Sequence, residues 1–336
     1  MIYKEPAVGK LIFGNEWDIH RIQKINVNGD SKIDLSQFNK SDSETSGEVK
    51  NIGDIMLIDL NVSSGQEFYK DKLVGGYDES ILNFESLEGS ARATSHSYVF
   101  SEENQWVPTN YLTLNIYTKS KILRDQDKTG LIRYTDGKLE ELITKDYINE
   151  RNKILEVVPH SSFLFIDGPL FSGRVTSSNF TMIEGLLEQK GVKTFFIKKG
   201  CTSDHIVNSL PEAKGYNSDI HWANSKLKTF PSRTSLFSYT SGDGRSKVYC
   251  YMKIYKNRSP LRVEFTYQTY EVLRTEIDNI MNMIAYLYYV DGNLKSPQLR
   301  QIAIAEKYAR ETLKVTNIYK TIYKFGLTPT QNEVRF

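Results

Sequence analysis

Cysteine is nearly absent. Cys201 and Cys250 are the two in 336 residues, so the chain holds neither a disulfide framework nor a cysteine-based zinc site, and a reducing compartment is expected. Histidine is scarce as well: His20, His96, His160, His205 and His221 include no pair at i, i+4 spacing, so any metal must rest mainly on carboxylates. No apolar run approaches the roughly eighteen residues of a spanning helix. The opening segment MIYKEPAVGKLIFGNEWD lacks the long uncharged core of a signal peptide, so a cytoplasmic protein with no membrane partner is expected. A Gly-x-x-x-x-Gly-Lys-Ser/Thr phosphate loop is missing too, and energy for any translocation would have to come from a partner. Excess charge of one sign is likewise lacking. With 43 Lys+Arg against 41 Asp+Glu the net charge is +2, which argues against a polybasic coat but leaves room for a basic groove beside an acidic site.

What is present is an ordinary folding composition, 39% hydrophobic and 25% charged. A chain of this length can bury about 75% of its unfolded surface. Residues 1–50 end in the polar stretch SQFNKSDSETSGEVKN and are expected to form an N-terminal extension. The first core signal is the run Ile55 to Val62, interrupted by Asp59, with the length of a buried strand. A polar Gly-Gly turn follows, then strands around Thr94 to Phe100 and Tyr111 to Thr118. Residues 138–158 switch to a helical period, with Ile143, Tyr147, Ile154 and Val157 on one stripe. The order strand (162–166), helix (179–189), strand (192–197) predicts a parallel βαβ unit. A polar insertion is expected over about 200–245, then a strand hairpin (249–255 and 261–267) and two helices (271–289 and 296–313). These elements make residues 51–320 one α/β domain, with 321–336 as a tail.

The informative residues are acids standing where the pattern demands an apolar side chain. Asp59 interrupts the first buried strand, Asp167 ends the second, and Glu150 occupies the helical stripe 143, 147, 150, 154, 157. A carboxylate in such a place costs several kcal/mol unless it is hydrogen-bonded, paired or bound to a cation, so each needs a partner. Singly, each has a plain explanation: Asp167-Gly168-Pro169 is a common turn, Asp59 could be a satisfied strand-end acid, and Glu150 could pair with Arg151 or a lysine. Together they could converge at a sheet edge and hold one or two Mg²⁺ or Mn²⁺ ions, the standard device for phosphodiester cleavage.

On these segments the sequence resembles the NurA nuclease family, ribonuclease H-like enzymes that process DNA ends with the HerA translocase. The resemblance covers about residues 52–315. IMLIDLNVSS is similar to the family's opening Asp-bearing strand, with Asp59 at the metal-binding position and Leu60 where glycine is usual. LFIDGPLFSG resembles its strand ending in Asp-Gly, with Asp167 matching, and the preceding helix supplies the metal-binding Glu as Glu150, with Glu156 the rival. KTFFIKKG and LRVEFTY resemble two further strands. DGNLKSPQLRQIAIAEKYAR is similar to the segment that carries an Ala-His pair, with Glu306 in place of the histidine and Gln298 or Lys295 where tyrosine is usual. The resemblance implies a ribonuclease H-like mixed sheet flanked by helices and about two Mn²⁺ (or Mg²⁺) ions per site. It further implies 5′ to 3′ exonuclease and single-strand endonuclease activity, a homodimer, and docking on a HerA-type hexameric ATPase. The metal set would be Asp59, Glu150, Asp167 and Glu306. By position, Arg174, Lys198 and Lys199 are candidates to meet DNA phosphates. The missing histidine leaves a second expectation open, a DNA-clamping partner with weakened chemistry.

Overall fold

Apolar residues recurring every second position build the strands, and the two faces they create receive different helices. The computed structural model describes residues 10–15, 47–102, 105–171, 176–200, 203–213, 216–291 and 297–330. In chain order the elements are β1 (Lys10–Phe13), β2 (Glu48–Asp59), α1 (Val62–Tyr69), β3 (Val74–Ser86), β4 (Gly89–Glu102), β5 (Gln105–Thr118), α2 (Lys121–Gln126), β6 (Ile132–Tyr134) and α3 (Leu139–Leu155). They continue with β7 (Phe163–Asp167), α4 (Thr176–Lys190), β8 (Lys193–Lys198), α5 (His205–Ser209), α6 (Asp219–Lys226), β9 (Ser232–Thr240), β10 (Ser246–Lys253) and β11 (Leu261–Thr266). The helices α7 (Tyr267–Leu273), α8 (Ile277–Asp291), α9 (Arg300–Val315) and α10 (Ile318–Phe325) close the described chain.

All described strands join one mixed sheet in the order β1-β5-β4-β3-β7-β8-β11-β10-β9-β2, with β6 beside β5. The meander β3-β4-β5 is antiparallel, whereas β3, β7 and β8 run parallel, and the β7-α4-β8 crossover supplies the expected βαβ unit. This is the α/β architecture predicted from the sequence, a mixed sheet flanked by helices.

Side-chain alternation assigns the faces. On one face Phe163, Phe165, Phe195, Ile197, Val248 and Cys250 pack under α8 and the start of α9. On the other, Leu164, Ile166 and Phe196 pack under α3 and α4, while Tyr249 and Tyr251 meet Trp222 of α6. Cys250 is sealed in the core, where burial pushes its thiol up to about 11, so it is an inert apolar neighbour rather than a reactive group.

Several sequence expectations change. Gly75 and Gly76 form no turn but lie inside β3. A Cβ at Gly76 would stand 2.3 Å from the Gln301 carbonyl carbon, so glycine there is what lets α9 press onto the sheet. The run Ile55 to Val62 is strand only as far as Asp59, with Val62 already opening α1, and the strand is an edge one: Met56 and Leu57 are each 52% exposed. Within the insertion expected over 200–245, β9 is a nine-residue strand of the main sheet. Helix α10 crosses the boundary expected at residue 320. Among the described residues no helix is long and apolar enough to cross a membrane.

Candidate active site

The three carboxylates expected to converge, Asp59, Glu150 and Asp167, are not brought together. Asp59 ends β2, and β9, β10, β11 and β8 lie between it and β7. Five strand spacings separate the two aspartates, about 24 Å at about 4.8 Å each. Asp59 is exposed and accepts a hydrogen bond from the Thr229 hydroxyl. The apolar run around it follows the hydrophobic pattern of a central strand, yet β2 pairs only through β9 among the described strands.

Glu150 is buried, as its place on the helical stripe predicted, but its partners are structural. Asn115 Nδ2 donates to its Oε1 at 3.0 Å, and His96 Nε2 stands 3.5 Å from its Oε2. Those residues belong to β5 and β4, on the α3 face of the sheet. His96 is tied onward to the Tyr77 hydroxyl at 2.7 Å. The rival Glu156 caps the C-terminus of α3 and is exposed.

Asp167 occupies the expected strand end and finds a different partner. Strands β3 and β7 are parallel and register Tyr77 against Ile166, so Asp78 follows beside Asp167 one residue further on. Asp78 shares the face of Gly76, the face that α9 covers, and α9 carries Glu306. Burial first, and then the negative charge of Glu79, Asp167 and Glu306, pushes the Asp78 carboxyl up to about 8, although the Glu79 N–H donates to its Oδ1 at 2.8 Å. Burial likewise raises Asp167, against the pull of Lys199, whose Nζ lies 3.4 Å from both carboxylate oxygens. Glu306 is partly buried and ion-paired with Arg310 one helical turn on.

Asp78, which the register sets beside Asp167, and its neighbour Glu79 are carboxylates that the sequence reading does not single out. The pair stands within the alternating run Tyr77, Glu79, Ile81, which is obscured because Gly75-Gly76 reads as a turn. Of the candidate phosphate contacts, Lys199 is engaged with Asp167, and Lys198 ends β8 opposite Arg262 of β11. Arg174 and Lys295 lie outside the described residues. Gln298 is buried just before α9.

The donor chemistry suits a hard divalent cation: Asp78, Asp167 and Glu306 offer oxygen ligands, and a cation would offset both the burial and the neighbouring negative charge that raise the Asp78 carboxyl. As they stand, no three His, Cys, Asp or Glu side chains among the described residues gather closely enough to hold a metal.

The turn that follows Asp167 is held by a buried ion cluster. Glu264 of β11 lies within ion-pair reach of Lys247 (3.1 Å) and Arg262, and its Oε2 accepts the Leu170 N–H at 2.8 Å, fixing the turn that follows Asp167. Burial alone would raise this carboxyl; the two cations outweigh it and hold it at about 2.

No protein-family model matches the chain, and no curated protein matches it in sequence. Among solved structures it is similar to the NurA nuclease from Sulfolobus solfataricus, with a TM-score of 0.48 and 10% identity over 76% of this chain and 83% of that one. It is also similar to a structure of NurA with manganese, with a TM-score of 0.41 and 8% identity over 71% and 85% of the two chains. Both are of the family whose motifs the sequence resembles.

Proposed function

We propose that the protein is a divalent-metal-dependent nuclease acting on DNA. The observation that carries this reading is the placement of Asp78 beside Asp167 on parallel central strands, with α9 bringing the charge of Glu306 to bear on both. Asp78, Asp167 and Glu306 would hold Mn²⁺ or Mg²⁺, with Asp78 taking the role the sequence suggested for Asp59. Once bound, the cation supplies activation of water and stabilisation of phosphoryl charge. Of the chain's own residues, Asp78 would hold a cation as the carboxylate, its proton passing to solvent. Lys199 steadies Asp167, and Glu264 anchors the 168–171 turn through Leu170. The finer reading follows the sequence resemblance: 5′ to 3′ exonuclease and single-strand endonuclease action, a homodimer, and a HerA-type hexameric ATPase that delivers the DNA.

The test is incubation of the purified protein with labelled linear single- and double-stranded DNA in Mn²⁺, Mg²⁺ or EDTA, with and without a HerA-type ATPase. Cleavage in metal that EDTA abolishes is expected; no cleavage under any of these conditions ends the nuclease reading. The spacing of the carboxylates favours a second reading, a DNA-clamping partner of the ATPase with weakened chemistry. Tight DNA binding without strand loss, ATPase present, would select it.

A further inference from the structure

On the opposite face of the sheet from α9, a cavity of about 350 Å³ opens between α3 and the strands β3, β4 and β7. Its size is at the lower end of what small-ligand sites occupy. Tyr77, Ile166 and Phe196 line it from the sheet, Tyr147 and Arg151 from α3, and Arg92 from β4.

Arg151 is the anomaly. It is 7% exposed, its Nε has no hydrogen-bond partner, and its Nη1 donates to Asn179 Oδ1. Its guanidinium lies 5.5 Å from the Tyr77 ring centroid and 5.9 Å from that of Phe196. Asn179 is itself pinned, its Nδ2 donating to the Leu170 carbonyl at 3.0 Å, so the guanidinium is held in a fixed orientation. A buried arginine normally faces a carboxylate, because taking the charge out of water costs several kcal/mol. The acids lining this cavity are already engaged: Glu79 accepts the Tyr147 hydroxyl at 2.9 Å, and Asp167 faces Lys199. Arg92 stands 6.0 Å from the Tyr147 ring centroid. Among the described residues neither arginine has a carboxylate in ion-pair reach.

We propose that this cavity binds a phosphate monoester through Arg151 and Arg92, the occupant being the terminal phosphate of a nucleic-acid strand. Two guanidinium forks match a group that carries nearly two negative charges and three acceptor oxygens. Phosphate-bearing ends are what phosphodiester hydrolysis produces, so the proposal deepens the nuclease reading, but the pocket chemistry can be tested apart from cleavage.

The test is fluorescence anisotropy in EDTA with labelled single-stranded oligonucleotides carrying a 5′-phosphate, a 3′-phosphate or hydroxyls only. Melting-temperature shifts with inorganic phosphate and with a deoxynucleoside monophosphate are measured alongside. One phosphorylated end should bind at least about tenfold tighter than the hydroxyl-ended strand, the worth of one charge-assisted hydrogen bond or more. Inorganic phosphate should erase that preference by competition. Arg151→Lys, which keeps the charge and loses the fork, should lose it as well. Arg92 is less buried, so Arg92→Gln repeats the test should the first variant fail to fold. If no oligonucleotide binds but phosphate or the monophosphate raises the melting temperature of the wild type and not of Arg92→Gln, the anion site stands but a strand end as its occupant is overturned, while the nuclease reading is decided separately by the cleavage assay with metal. Equal affinity for phosphorylated and hydroxyl ends, with no shift from either small probe, overturns the pocket even if the protein cleaves DNA; Arg151 is then only a cation shared by Tyr77 and Phe196.

Discussion

Two strand segments of this molecule each carry an aspartate beside apolar residues, and their fates differ. Asp59 ends β2 at one margin of the sheet, exposed and answered by a threonine hydroxyl. Asp78 lies within β3 near the middle, half-buried, near three other acids and pushed up to about 8. Within a strand the two resemble each other. What separates them is strand order: β3 adjoins β7 and its Asp167, while β2 is five spacings away. An acid acquires unusual chemistry from the neighbours that sheet topology gives it, and the run of residues around it does not encode those neighbours.

The sharpest way to break this comparison is to remove each aspartate in turn. Asp78→Asn should cut metal-dependent cleavage of labelled single-stranded DNA by about 10²–10³-fold, as removing one group that serves to stabilise transition-state charge does. Asp59→Asn should leave the rate essentially unchanged. The opposite ranking would return the site to the edge strand. Next is Glu264→Gln, in a cluster on strands that lie between the two aspartates. Leaving Lys247 and Arg262 without their anion should cost about 3–5 kcal/mol in urea unfolding. The wild-type contribution has a definite pH window. Because the folded carboxyl sits at about 2, below its unfolded value, that stability is present above the unfolded pKa and is lost as pH falls through about 2. An unfolding midpoint unmoved by the substitution would show the cluster to be dispensable.

Much of the architecture was legible because it rests on local periodicity. The α3 stripe, the β7-α4-β8 crossover and the β10-β11 hairpin all follow from where apolar residues recur. Asp167 was legible too, since an acid ending a short apolar strand stands out from its surroundings. The position of β2 was not, because an edge strand with an apolar run mimics a central one. β3 was hidden by Gly75-Gly76, which signal a turn unless one knows that α9 lies against Gly76 and the Phe100 ring against Gly75. The helical stripe marks Glu150 as a buried acid, but whether such an acid faces a metal site or a histidine depends on β4 and β5, which local spacing does not place.

A smaller, graded effect probes the partial burial of Asp78 directly. A carboxyl whose folded pKa is raised stabilises the native state fully below its unfolded value, and that contribution is lost as pH rises through the folded value. In metal-free buffer the wild type should therefore lose stability between about pH 4 and about pH 8, by at most roughly 1.4 kcal/mol per pH unit from this group. Asp78→Asn has no proton to lose there. Its advantage over the wild type should grow across that window and level off above about pH 8, as read from melting temperature against pH. Parallel curves for the two proteins would mean that Asp78 is solvated and that its resemblance to Asp59 is real.

The smallest expected change sets the glycines of the two regions against each other. Gly53 in β2 has φ +78° and open space around it, so Gly53→Ala costs only the backbone preference, about 1 kcal/mol. Gly76 in β3 is different, because a Cβ there would stand 2.3 Å from the Gln301 carbonyl carbon and 2.4 Å from the Ile302 nitrogen. Those atoms are helix backbone and cannot rotate aside, so Gly76→Ala must push α9 off the sheet, at about 1–3 kcal/mol. The helix carries Glu306, so this substitution should lower cleavage and melting temperature together, whereas Gly53→Ala lowers the melting temperature alone. Should Gly76→Ala destabilise the protein and still cut DNA at the wild-type rate, α9 packs the sheet without serving the site, and Asp78 and Asp167 act without Glu306.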